Sequence, residues 1–217
     1  MARPAYSEEQ VDEILSEIRN HAIAVFRQQG IRGLTLAAVA MRMGWTAAAL
    51  YRYFAGKDAL VASIRAEGFA RIGDRVRAAR MEGSTPLEAA RNVLRAYLGF
   101  AVEEPELFRL MYQLDQGQAP SVPHVKAERE RSFAEARLLG ADLIAAGLTP
   151  REANVEAHVL WAGCHGLATL AIADQLDLGC SYEELMEPLI ERLTAPLSDE
   201  TPTATSRSSG RTPEETK

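Results

Sequence analysis

Strand character is what this chain most plainly lacks. No segment alternates apolar and polar residues over a strand's length, and β-branched residues do not cluster, which argues against a sheet-based fold. Cysteine is equally scarce. Cys164 and Cys180 sit in alanine- and leucine-rich surroundings without C-x-x-C spacing, so a disulfide scaffold, a redox pair and a thiolate metal site are set aside and both thiols read as reduced. No apolar run approaches the roughly 20 residues of a membrane span. The start, Met1 to Gln10, is polar and acidic, unlike a signal peptide. The expectation is a cytoplasmic chain without a membrane partner. Acid, too, is missing from one long stretch. The net charge is −6, yet the window from Ile18 to Lys57 holds no Asp or Glu and carries Arg19, Arg27, Arg32, Arg42, Arg52 and Lys57. An acidic protein can thus present a local basic face, and a local field is what a polyanion meets.

What remains is helical. With 47% hydrophobic residues in 217, the chain can bury one sizeable core or two small ones. Ser7 followed three residues later by Gln10 makes a capping box for a first helix, whose stripe Ile14, Ile18, Ala22, Val25 and Phe26 runs until Gly30 and Gly33. Thr35 caps a second helix, Leu36 to Met43, closed by Gly44; Thr46 caps a third, Ala47 to Tyr53. A fourth, from Lys57 to about Arg80, has the length of a strut. Further helices are predicted over 86–103, 105–114, 122–146, 150–177 and 181–195. The tail, 197–217, is polar without an apolar period and is expected to be disordered.

The second and third helices have the parts of a helix-turn-helix. Leu34, Val39, Ala40, Met43 and Leu50 are spaced to pack them together, and Gly44 supplies the turn. Thr46, Ala47, Ala48, Tyr51, Arg52 and Tyr53 are left to face outward, offering hydroxyls, methyl surface and one guanidinium. In this region the chain resembles the tetracycline-repressor (TetR) family, through Gly33-Leu34-Thr35, Val39-Ala40, Met43-Gly44, Leu50-Tyr51-Arg52-Tyr53-Phe54 and Lys57-Asp58-Ala59-Leu60. The resemblance implies an all-α protein, with an N-terminal three-helix DNA-binding domain at 7–64 (the helix-turn-helix at about 35–54). A long helix links it to a larger helical ligand-binding and dimerisation domain at 65–196. It also implies phosphate contacts from Thr35, Tyr51, Tyr53 and Lys57 and base-facing positions at Thr46, Ala47 and Ala48. Arg42 supports the second helix or the DNA backbone, and Arg52 presents its charge nearby. Three consecutive alanines offer few hydrogen-bond donors, which leaves room for shape readout.

The later helices are similar to the C-terminal domain of a subgroup with a tryptophan-histidine-glycine signature, matched by Trp161, His165 and Gly166. Trp161 and His165 lie four apart, and with His158 on the same stripe they are placed either to line a cavity or to pack. Leu107, Phe108, Met111 and Tyr112 form an apolar and aromatic stripe facing the same cavity or the core. No metal or cofactor is expected, since His158 and His165 lack a third ligand. Nor is an enzyme: Cys164 and His165, adjacent on a helix, point about 100° apart and cannot share a proton. The resulting expectation is a homodimeric repressor of a near-palindromic double-stranded DNA operator, released by a small apolar or aromatic effector. The rival is a helical ligand-binding or enzyme-like protein whose basic helices serve protein interaction.

Overall fold

In the computed structural model, which describes residues 7–112 and 122–197, nine α-helices and a terminal 3-10 turn form the described chain: α1 (Glu8–Gly33), α2 (Leu36–Met43), α3 (Ala47–Leu50), α4 (Lys57–Glu82), α5 (Pro86–Glu103), α6 (Pro105–Tyr112), α7 (Pro123–Ala145), α8 (Ala153–Ile172), α9 (Tyr182–Thr194) and η1 (Ala195–Leu197). Local chemistry sets most of the starts. The Ser7 side chain accepts the Gln10 amide while Gln10 Oε1 accepts that of Ser7, Ser181 and Glu184 repeat this reciprocal box at α9, and Thr35, Thr46 and Thr85 cap α2, α3 and α5 by accepting one amide each. At Gly30 the backbone turns to φ 64°, so α1 kinks there before its last residues. Gly44 takes φ 70° and ends α2 in the left-handed conformation that the tight turn to α3 demands.

Three elements depart from the sequence reading. α3 is a single turn, Ala47–Leu50, shorter than the predicted helix to Tyr53, because the amides of Tyr53 and Phe54 both turn back onto the Leu50 carbonyl. α8 stops at Ile172 instead of 177: Asp174 takes φ 55°, and the Gln175 amide folds back onto the Leu170 carbonyl. Leu197, assigned by sequence to the tail, is fully buried in η1 and belongs to the helical body; the rest of the predicted tail, 198–217, lies outside the described residues.

Burial along α1 follows the predicted stripe. Ile18, Ala22 and Val25 are enclosed, and Ile14 and Phe26 pack on their flank. With Leu34, Leu36, Val39, Ala40, Leu50 and Phe54 they make the core of the first three helices. α4 runs on from it for 26 residues and becomes the spine of the rest, packed by α5, α6 and α7. Glycines set that spacing: a Cβ at Gly68 would lie 2.5 Å from Met111 Sδ, and one at Gly140 only 2.4 Å from the Ala153 carbonyl oxygen. Ion pairs clamp the same helices from outside, Arg80 bridging from α4 to Glu135 and Asp142 of α7, and Arg95 gripping Glu187 between α5 and α9. α8 is apolar and long enough to cross a membrane by composition alone, contrary to the sequence reading. It packs instead against α5, α7 and α9, and near its start a buried Glu156 is satisfied by the Thr149 hydroxyl and the Arg151 guanidinium.

Candidate nucleic-acid interface and effector cavity

The segment from Thr35 to Lys57 leaves its polar side chains wholly or partly in solvent. Thr35, Arg42, Thr46, Ala48, Tyr51 and Arg52 are exposed, and Ala47, Tyr53 and Lys57 are half-buried. Leu50 and Phe54 point inward and hold the turn, as their apolar spacing requires. Tyr51 is 60% exposed and touches no ring among the described residues, whereas Tyr53 leans on Trp45 with ring centroids 6.3 Å apart. Lys57, the first residue of α4, donates its ammonium to the Ile31 carbonyl and ties the end of α1 to the start of α4. The hydroxyls of Thr35 and Thr46 are each committed to a helix cap, at 3.1 Å and 3.3 Å, with a lone pair to spare.

Behind this surface, between α4, α5, α6, α7 and α8, lies a cavity of about 500 Å³, within the range of small-molecule sites. Of the seven residues proposed from sequence to face it, Met111, Tyr112, His158 and Trp161 line its wall. Leu107, Phe108 and His165 do not: the first two are enclosed in the core, and His165 stands one layer back. α6 turns Leu107 and Phe108 inward beneath the wall and only its last turn reaches the space, which is why one apolar stripe divides between two roles.

One hydroxyl organises the polar part of the wall. Tyr97 Oη accepts the Trp161 Nε1 proton at 2.9 Å, stands 2.8 Å from His165 Nδ1 and 3.3 Å from the Tyr112 hydroxyl. An indole can only donate, so its proton fills one Tyr97 lone pair. Burial holds the His165 pKa below its ordinary value, keeping the ring neutral; the Tyr97 hydroxyl donates to the Tyr112 oxygen, so its own oxygen accepts from Trp161 Nε1 and from the proton on His165 Nδ1. The same burial raises the Tyr97 and Tyr112 phenols, which stay protonated, and pushes the Cys164 thiol up to about 12, an inert group in the wall. His158 is engaged separately: its Nδ1 lies 2.7 Å from the Asn154 carbonyl and its ring 4.4 Å from that of Phe133.

Three arginines reach the cavity, Arg65 from α4 and Arg129 and Arg137 from α7. Arg65 Nε donates to the Met111 carbonyl at 3.2 Å, and its pKa is lowered by burial and by the charge of Arg129. The charged groups were missed in sequence, although a signal existed. Arg65, Phe69, Ile72 and Val76 recur at spacings of four, three and four and all line the space. An arginine heading an otherwise apolar stripe is the mark of a charge placed indoors.

Comparison with known proteins fits this geometry. The model of the tetR family of bacterial regulatory proteins matches residues 18–64, and a tetracyclin repressor-like C-terminal domain model matches 90–193. The chain belongs to the TetR family. Curated relatives include the HTH-type transcriptional regulator Rv1816 of Mycobacterium tuberculosis and its counterpart Mb1846 of Mycobacterium bovis, each 31% identical over 124 residues, 55% of this chain and 50% of theirs. The chain therefore spans about half the length of the curated relatives it matches. Among solved structures, a Rhodococcus protein of unknown function superposes with a TM-score of 0.74 at 26% identity, covering 84% of this chain and 94% of its own. The regulator FadR of Bacillus subtilis, solved with stearoyl-CoA, superposes at 0.71 with 15% identity over 83% and 98%, a likeness of fold. That family is one of bacterial regulatory proteins, a class that is not enzymatic.

The His165 environment carries a pH prediction for the TetR-family chain. A pKa depressed by folding means the neutral ring is favoured in the folded state, so its contribution is present above the ordinary value of 6.5 and lost as pH falls through the lowered one. Thermal melts from pH 7.5 to 5 are expected to show a decline that His165→Gln makes shallower. Equal declines in the two proteins would show that the ring does not titrate as argued.

Proposed function

We propose that this TetR-family chain is a homodimeric repressor, binding a near-palindromic operator and released when a small apolar or aromatic effector enters the cavity. The observation that carries the reading is α4, which starts at Lys57 on the helix-turn-helix surface and carries Arg65, Phe69 and Ile72 into the cavity wall. Residues 7–64 act as the DNA-binding unit and 65–196 as the effector-binding and dimerisation unit. An effector releases DNA only if it favours a conformation whose half-site spacing departs from about 34–36 Å, and a helix shared by both sites can transmit that bias. α6 supports the same link, since its Glu106 pairs with Arg27 of α1 at 2.9 Å while its last turn lines the cavity.

The dimer contact is assigned to α8 and α9. Val155, Val159, Ala162, Gly166 and Leu170 recur along α8 as one exposed stripe, whereas Gly163 already faces Leu193 within the chain. On the DNA side, Thr35, Tyr51, Tyr53 and Lys57 grip phosphates, Thr46, Ala47 and Ala48 face bases, and Arg42 and Arg52 add charge at the edges. Fluorescence anisotropy on the gene's own upstream DNA tests this. Tyr51→Phe combined with Lys57→Gln is expected to weaken binding about tenfold or more on every sequence tested and to flatten the salt dependence by about one to two in slope. Undiminished binding by the double variant counts against these contacts, and salt-independent binding counts against DNA as the partner.

A further inference from the structure

The cavity's charges do not balance. Along α4 and α7, Arg71, Arg75, Arg77, Arg80 and Arg131 each pair with a carboxylate, but among the described residues the three arginines at the cavity, Arg65, Arg129 and Arg137, pair with none. Arg65 spends one N–H on the Met111 carbonyl at 3.2 Å and is half-buried; its remaining donors have no acceptor among the described residues. Arg129 lines the same cavity, and its charge adds to burial in lowering the Arg65 pKa. The single carboxylate on the wall, Glu130, is itself answered by Lys126 at 3.6 Å. Two guanidiniums brought together at the edge of an apolar space repel each other more strongly than they would in water, and an anion between them removes that cost while giving each fork its acceptors.

We infer that the effector is an amphipathic carboxylate, its charged end held between Arg65 and Arg129 and its apolar body laid along Phe69, Phe133 and Trp161. The inference rests on the effector-binding reading above and narrows it to a chemical class. About 500 Å³ admits a medium alkyl chain or one or two fused rings behind the headgroup. Beyond the arginines the wall is mainly aromatic and aliphatic, with Glu130, Ser132 and His158 as its other polar residues, and its central hydroxyls and indole N–H are already bonded to one another, so the body of the ligand meets mostly apolar surface.

Calorimetric titration of the full chain with matched pairs tests the assignment: decanoate against decanol, phenylbutyrate against phenylbutanol, naphthylacetate against naphthylethanol. At least one acid is expected to bind about tenfold or more tighter than its alcohol, and Arg65→Gln with Arg129→Gln is expected to erase that preference. Circular dichroism and the ligand-free melt confirm that the variant is folded; Arg129→Gln alone, at an exposed position, serves where the double variant is not, and is expected to cut the preference by several fold. Alcohols binding as tightly as acids, no acid binding at all, or a preference that survives both substitutions overturns the inference. The same acids are then titrated into the DNA complex. An acid that binds with the arginine-dependent preference yet leaves the DNA bound supports the ligand class and removes the release mechanism instead.

Discussion

Replacing Leu50 with alanine is expected to abolish operator binding while leaving the cavity able to take its ligand. Leu50 is 0% exposed and is the only buried residue of α3, a helix of four residues. A single turn has no stability of its own in water, because nucleation costs more than one turn of hydrogen bonds returns. Its position is therefore set by the Leu50 side chain in the α1–α2 core and by the Tyr53 and Phe54 amides that close onto the Leu50 carbonyl. A buried Leu→Ala change costs about 2–5 kcal/mol, a large part of a small domain's whole stability. Since Thr46, Tyr51 and Tyr53 all hang on this turn, the loss falls on the DNA surface as a unit. Anisotropy with operator DNA and ligand titration on the same sample check it; intact DNA affinity would show that α3 is held by something other than Leu50.

How far such a surface can be read from sequence depends on the range of the interaction that makes it. The caps at Ser7, Thr35 and Thr46 and the left-handed turn at Gly44 bind within three or four residues, so their spacing alone announces them. The apolar stripe of α1 is likewise a property of one helix. The end of α3 is not, because Tyr51 to Tyr53 satisfy a helix or a succession of turns about equally well and tertiary packing decides. The cavity was less legible still. Trp161 and His158 were found because they share a stripe, but the same stripe carried His165 into a layer behind the wall. Whether a residue on an apolar face meets space or another side chain depends on what the facing helices supply, here Tyr97 of α5 and Phe133 of α7, far away in sequence and without a shared motif.

Tyr97 shows why that distant contribution matters. Replacing it with phenylalanine keeps the ring, its edge contact with Phe108 at 5.8 Å and nearly all its buried area, and removes one oxygen. That oxygen serves Trp161 Nε1 and His165 Nδ1, which have no other partner among the described residues, at 2.9 Å and 2.8 Å. Leaving a buried donor or acceptor unsatisfied costs about 1–3 kcal/mol, so the two together are expected to lower stability by roughly 2–4 kcal/mol after local relaxation. Tyr112→Phe provides the contrast. Its hydroxyl makes the longest of the three bonds, 3.3 Å, and its removal frees only the Tyr97 proton from a weak acceptor, while Tyr97 keeps both Trp161 and His165 as partners. The expected loss there is under about 1 kcal/mol. Chemical denaturation of both variants separates the roles: a Tyr97→Phe loss no larger than that of Tyr112→Phe would mean that water replaces the hydroxyl and that the wall is wet. If the large difference is found, Tyr97 is the residue that keeps the Trp161 and His165 rings fixed, and ligand affinity should fall with stability in Tyr97→Phe and hold in Tyr112→Phe.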